Sequence, residues 1–225
     1  MRLLTVVLAG LLAACAGGPD PGYDPYETAN RRTFEMNVRM DRSVLRPIAE
    51  HYAEGVPAGV RRALHALLTT ANQPVVFAND ILQGNPHEAG RTLARFTANL
   101  VFGPAGLRDA AGEAGIPDHT TDFGTTLAVW GWGDTPYLML PLIGPCNPRD
   151  AVGYIGDIAL DPGFSIQYKQ YVWWIAARKT LTIVDARSQS LATLDDIERA
   201  SLDYYSTVRS LYRQHRAGQT GGEIP

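Results

Sequence analysis

Few residues of this chain have the types and spacing that chemistry requires. The five histidines, His51, His65, His87, His119 and His215, never fall in a pair spaced to share a metal ion. His87-Glu88 lacks the second histidine that a zinc-binding helix carries one turn along. Gly163-Phe164-Ser165-Ile166-Gln167 misses the second glycine of the sharp turn that exposes a nucleophilic serine. Gly131-Trp132-Gly133 lacks the third glycine of a dinucleotide site, and no G-x-x-x-x-G-K-[ST] loop is there to cradle a nucleotide. Distant residues can converge in a fold, so a Ser-His-Asp arrangement stays open, but no local motif supports one. The expectation is a protein that is not an enzyme, with no cofactor, no metal and no catalytic residue.

One residue has its chemistry written into its surroundings. Met1-Arg2 precedes an apolar stretch over residues 3–12 broken only by Thr5 and Gly10, and Ala13-Ala14-Cys15 follows. This is a signal-peptide pattern, too short for the ~20-residue helix that spans a bilayer. Leu12-Ala13-Ala14-Cys15 looks like a bacterial lipobox, cut before the cysteine, whose sulfur then receives a diacylglycerol. An ordinary secretory signal with a coincidental cysteine is the alternative. Each buried CH₂ contributes about 0.8 kcal/mol, so the two or three chains of a lipoprotein hold almost permanently where one holds weakly. Ala16 after the cysteine, in place of Asp, goes with export to the outer membrane. Cys146 is then a lone thiol, read as a buried small hydrophobe.

The chain that positions these residues has 225 of them, 45% hydrophobic and 19% charged, with net charge −3. No cationic excess is available for nucleic acid. The pattern divides into a signal peptide at 1–14, a lipidated tether at 15–22, a helical domain at 23–216 and a flexible tail at 217–225. Residues 26–41 favour a helix, with a short strand possible. Val60, Ala63, Leu64, Leu67 and Leu68 follow helical spacing. Pro74 opens another segment that ends at Gly84, and Asn85-Pro86-His87-Glu88 starts a third, with Ala89, Leu93, Phe96 and Leu100 on one side. Residues 103–150 are dense in Gly and Pro yet interleaved with aromatics, which implies compact, turn-rich structure. Residues 137–140 read as a short strand or an extended segment. Tyr168, Tyr171, Trp173 and Trp174 beside Lys169, Arg178 and Lys179 suit a membrane-water interface, or equally a buried aromatic helix. Thr193-Leu194-Asp195-Asp196 resembles a capping box, opening one helix through Ile197, Val208 and Tyr212 whose Arg209, Arg213 and Arg216 read as a solvated end.

Asp24-Pro25-Tyr26-Glu27 with Asn30-Arg31, Phe34-Glu35-Met36-Asn37 with Asp41, Arg46-Pro47, Asn79-Asp80, Arg95-Phe96 with Asn99, Asp122-Phe123-Gly124-Thr125-Thr126-Leu127, Trp130-Gly131, Pro136-Tyr137-Leu138, Leu140-Pro141, Arg149-Asp150 and Leu202-Asp203-Tyr204-Tyr205 follow one another in order. This series resembles the MlaA/VacJ family of outer-membrane lipoproteins, across about residues 12 to 216. His65-Ala66, Ala128, Thr135 and Cys146 depart from its pattern. The resemblance implies an all-α fold, a ring-like arrangement of helices separated by Pro/Gly turns around a central amphipathic channel. It implies a protein of the outer membrane, lipid-anchored through Cys15 on the periplasmic side. Members remove mislocalised phospholipids from the outer leaflet and pass them to a soluble periplasmic carrier of the MlaC type, usually while bound to a trimeric porin. Channel or gating candidates are then Phe34, Met36, Asn37, Asp122, Phe123, Gly124, Trp130, Gly131, Tyr137 and Pro141. Tyr168, Tyr171, Trp173 and Trp174 are the membrane-interface candidates. A structural lipoprotein that braces porins or envelope without transport, and a membrane-tethered lipid hydrolase, are the rival readings.

Overall fold

The computed structural model describes residues 24–133, 135–165 and 170–220. Cys15, the expected signal peptide and tether, Tyr168 and the side chain of Tyr171 lie outside that description. α1 (Glu27–Met40) passes through a π-helical turn at Asp41–Leu45 into α2 (Arg46–Gly55). α3 (Ala58–Leu82), α4 (Pro86–Val101) and the short α5 (Ala110–Glu113) and α6 (Phe123–Val129) follow. A hairpin of β1 (Leu138–Leu140) and β2 (Gly144–Cys146) leads into α7 (Pro148–Leu160), α8 (Gln170–Gln189), α9 (Leu191–Ala200) and α10 (Tyr204–Thr220). Among the described residues the fold is all-α apart from that hairpin.

Pro74 does not open a new helix; α3 runs through it. An interior proline removes a backbone donor and crowds the preceding turn, at a cost of about 3 kcal/mol. Arg178 of α8 donates to the Ala71 carbonyl, three residues before the proline, at 3.1 Å. Thr70, Gln73, Val75 and Val76 are buried around it, and this tertiary packing keeps the helix continuous. The expected boundary at Gly84 holds. Gly84 takes φ 70°, Asn85 N–H bonds to the Asp80 carbonyl at 2.9 Å, and the Asn85 side chain then caps α4 by accepting from Glu88 N–H at 3.2 Å.

The side of α4 that carries Ala89, Leu93, Phe96 and Leu100 turns inward only in part: Ala89 is buried and Phe96 half-buried, while Leu93 and Leu100 are exposed. Leu93 is 50% exposed and Phe102, just beyond the helix, 72%, while Thr92, Arg95 and Asn99 are buried. Partners explain the choice. Thr92 Oγ1 donates to Asp80 at 2.7 Å, Arg95 to Asp109 at 3.0 Å, and Asn99 to Thr70 Oγ1 at 3.2 Å. α7 repeats the inversion: Arg149 and Asp150 are buried, while Val152, Ile155 and Ile158 form an outward stripe. One apolar cluster joins Tyr137, Met139 and Tyr205, with Phe34 and Tyr212 packed against them, and the other buried apolar residues are mostly small, such as Ala49, Val76, Ala89 and Ala111.

The C-terminal third corrects three expectations. Thr193 lies inside α9, which starts at Leu191, so its capping box does not form. The single helix expected through Ile197 and Tyr212 is broken at residues 201–203. The Asp203 carboxylate opens α10 by accepting from the Ser206 hydroxyl at 2.7 Å, and Arg31 donates to it at 3.0 Å. α10 continues to Thr220, so residues 217–220 are helix rather than tail; Thr220 Oγ1 donates to the Arg216 carbonyl at 3.0 Å.

α6 crosses α7 at two glycines. A Cβ on Gly153 would lie 2.5 Å from Gly124 N, and one on Gly156 would strike the Phe123 ring. Gly153→Val therefore lowers the unfolding free energy in detergent by about 2 kcal/mol through overpacking. Gly133→Ala, whose added carbon meets nothing within 4 Å, leaves it unchanged; chemical denaturation of both variants reads the difference.

Candidate functional site

α1 grips the hairpin through two asparagines. Asn30 Nδ2 donates to the Tyr137 carbonyl at 3.1 Å and its Oδ1 accepts from Met139 N–H at 2.9 Å. Asn37 Nδ2 donates to the Leu140 carbonyl and its Oδ1 accepts from Leu142 N–H, both at 2.9 Å. Seven helical residues rise about 10.5 Å at 1.5 Å each, and the three residues from Met139 to Leu142 extend about 10 Å. The amides thus stand in for a neighbouring strand. Leu142 takes φ 65°, a strained conformation for a branched residue, and Asn37 secures it.

α10 is locked to α6 and α7 by Arg216. Its guanidinium donates to Asp122 at 2.7 Å and its Nε to Asp150 at 2.6 Å. Asp122 also caps α6, accepting from Thr125 N–H at 2.7 Å. Tyr212 donates to Asp150, and Tyr205 to Asp24. Arg216 is largely buried, so it is not the solvated helix end that the basic cluster suggested. Cys146 is buried and free; burial pushes its thiol up to about 11, which keeps it protonated and inert at neutral pH.

Between α2, α3, α4, α5 and α8 lies a cavity of about 1270 Å³. Its wall is polar through Arg61, Arg62, His65, Arg95, Asn99 and Asp185, and small where Ala53, Gly59, Ala63 and Ala66 face it. Arg95, 2% exposed, is held by Asp109 and by Asp118, the latter at 3.3 Å from its Nε. Asp185 accepts from Tyr52 at 3.2 Å and from Gln189 at 2.8 Å, and pairs with His65 Nδ1 at 2.8 Å. Sequence reasoning missed this lining. Its signal was the spacing of Thr92, Arg95 and Asn99 on the side of α4 away from Leu93 and Leu100.

None of the channel candidates lines this cavity. Phe34 and Asn37 instead border a separate pocket of about 170 Å³, with Met36 half-buried on the same helix. Asp122, Phe123 and Gly124 sit at the α6–α7 crossing. Gly131, at φ 98°, closes α6, and Trp132 N–H bonds to the Leu127 carbonyl at 2.9 Å. Trp130 Nε1 donates to the Leu82 carbonyl at 2.9 Å. Tyr137 is buried and Pro141 lies exposed in the hairpin turn. Trp173 is 76% exposed and Trp174 is exposed beside it, which removes the buried-helix reading of that pair.

Among the described residues buried polar and charged side chains outnumber buried apolar ones, while Leu93, Leu100, Val101, Phe102, Ile155 and Trp173 are exposed. Scattered exposed leucines need no explanation, but stripes on α4 and α7 mark an interaction surface. No helix among the described residues is long and apolar enough to cross a membrane.

Comparison with known proteins matches residues 22–219 to the family model of the MlaA lipoprotein. The intermembrane phospholipid transport system lipoprotein MlaA of Escherichia coli (strain K12) is 33% identical, covering 100% of this chain and 91% of that protein. An uncharacterized protein of Rickettsia bellii is also 33% identical, over 86% of this chain and 75% of its own length. A solved structure described as "Structural basis for maintenance of bacterial outer membrane lipid asymmetry" matches with a TM-score of 0.76 at 29% identity, covering 88% of this chain and 99% of that one.

The Arg216 lock carries a pH signature. Burial raises the Asp122 carboxyl, but hydrogen bonds and attraction from Arg216, with the Thr125 amide, outweigh it and hold it below the usual carboxylate range. A carboxylate depressed on folding stabilises above its unfolded value, about 3.9, and that contribution goes as pH falls through the lower folded value. Native stability in detergent should therefore fall as pH drops below about 4. Arg216→Met strands two carboxylates, lowers stability at pH 7 by about 3 kcal/mol and flattens the Asp122 part of the acid limb. Denaturation at a series of pH values measures both effects.

Proposed function

The chain belongs to the MlaA lipoprotein family, and from that premise we propose that it takes mislocalised phospholipid out of the outer leaflet of the outer membrane and passes it to a soluble periplasmic carrier. The protein would be held on the periplasmic side by lipid on Cys15, its helices arranged as a ring in the inner leaflet around an amphipathic channel. A trimeric porin would position it, and Trp173 and Trp174 would sit among the headgroups.

One observation carries this reading: a roomy, open cavity whose largely apolar wall also carries charged side chains, in a body whose outer stripes are apolar. Two tails of roughly 16 carbons leaving a bilayer for water would cost on the order of 25 kcal/mol at about 0.8 kcal/mol per CH₂. A passage with such a wall lets the headgroup stay solvated while the tails remain in apolar surroundings, so no single step bears that cost. Passive transfer asks for no nucleotide site and no catalytic group. A purely bracing lipoprotein would have no use for the opening; a hydrolase would need a nucleophile bonded to a base within it, and Ser188, which lines the cavity near His65, donates its hydroxyl to the Asp185 carbonyl at 2.7 Å instead.

Deleting the protein should expose phospholipid at the cell surface and sensitise cells to detergent; a clean deletion with a normal outer leaflet would refute the proposal. Ala63→Trp, which places a bulky ring in the cavity, should reproduce the deletion while the protein is still made and folded. Surface labelling of phospholipid headgroups reads both strains.

A further inference from the structure

We infer that the cavity wall at the start of α3 is a phosphate subsite, where Arg61 and Arg62 take the phosphodiester of a lipid headgroup. The inference rests on the conduit reading above and adds a chemical preference to it.

The charges of the lining cancel in sum but not in place. Arg95 is engaged by Asp109 and Asp118, and Arg108 by Glu113 at 2.8 Å. Asp185 is buried behind donors from Tyr52, Gln189 and His65. The far wall, made by α4, α5 and the loops that flank α5, thus carries three carboxylates against two arginines. At the start of α3 the balance is reversed. Arg61 donates only to a backbone carbonyl, that of Ala53, and Arg62 has no hydrogen bond or ion pair among the described residues. Two successive arginines therefore border the cavity without a carboxylate of their own.

Local structure strengthens the same wall. Ala58 and Gly59 line the cavity at the first turn of the 25-residue α3, and Pro57 at the cap has no side chain to accept from its N–H groups. The positive end of the helix adds to the arginines there. Guanidinium forks match phosphate oxygens in geometry as well as charge. Small residues, Ala63 and Ala66, leave the approach open. Two arginines without a surrounding cage would hold a headgroup briefly and let it leave, as a conduit requires. The subsite separates phospholipid from diacylglycerol, which has the same tails and no phosphate.

The test uses the full-length lipoprotein in detergent, titrated calorimetrically with dihexanoyl phosphatidylglycerol, dihexanoylglycerol and inorganic phosphate. The phospholipid should bind more tightly than dihexanoylglycerol by about tenfold. Arg62→Gln should lose most of that margin and Arg61→Gln/Arg62→Gln all of it, with dihexanoylglycerol binding unmoved. Arg62→Gln removes no internal contact, so it keeps the test valid if the double variant folds poorly. Equal binding of both lipids, indifferent to the arginines, would overturn the subsite and leave the conduit standing. Binding of neither lipid would sink the conduit reading itself. Arginine-dependent binding of inorganic phosphate alone would overturn the headgroup assignment in favour of a free-anion site.

Discussion

A buried polar atom without a partner costs about 1–3 kcal/mol, and this fold buries so many that their pairing decides most of its shape. Asp80 is held by Thr92 and His119, Asn99 by Thr70 and Asp109, Asn79 by Asp157 and Thr126. These links join residues far apart in sequence, from α3 to α7 and from α8 back to α1, where Arg187 meets Asp41 at 2.8 Å. Helices that would otherwise pack through leucine instead pack through matched donors and acceptors. Their leucines and isoleucines are released to the outside.

That release is why the faces of the helices were less legible in the sequence than several of their boundaries. Asn85-Pro86 opens α4 as its residue types demand, and the dense Gly/Pro stretch does form a turn-rich centre with a short strand. Periodicity found the apolar stripe of α4 but carries no information on which medium surrounds the molecule, so the stripe's direction stayed hidden. Arg216 misled for a related reason. A cation in the last turns of a helix is equally at home in water and in a pocket with two aspartates, and only the fold brings Asp122 and Asp150 to it. Pro74 and residues 201–203 show the two ways in which local signals failed: tertiary packing carried α3 through a proline, and Asp203, paired with Arg31, started a helix where spacing alone saw continuity.

The candidate site divides along the same line. Residues that the resemblance singled out, such as Asn37, Asp122, Gly124 and Tyr137, hold elements together around the apolar cluster, with distances that leave little slack. The open cavity lies elsewhere, lined by residues with no motif of their own. Rigid support and open cavity are separate parts of the molecule, joined through α3, which carries Arg61 and Ala66 on the cavity and Asn79 and Asp80 in the network that holds α4, α6 and α7.

The polar interior also shapes how the protein answers to temperature. Unfolding raises heat capacity when it exposes apolar surface and lowers it when it exposes polar surface. Here much of the newly wetted surface comes from asparagine, threonine, aspartate and arginine, while many large apolar side chains are already outside. The two contributions offset, and the curve of stability against temperature becomes broad and flat.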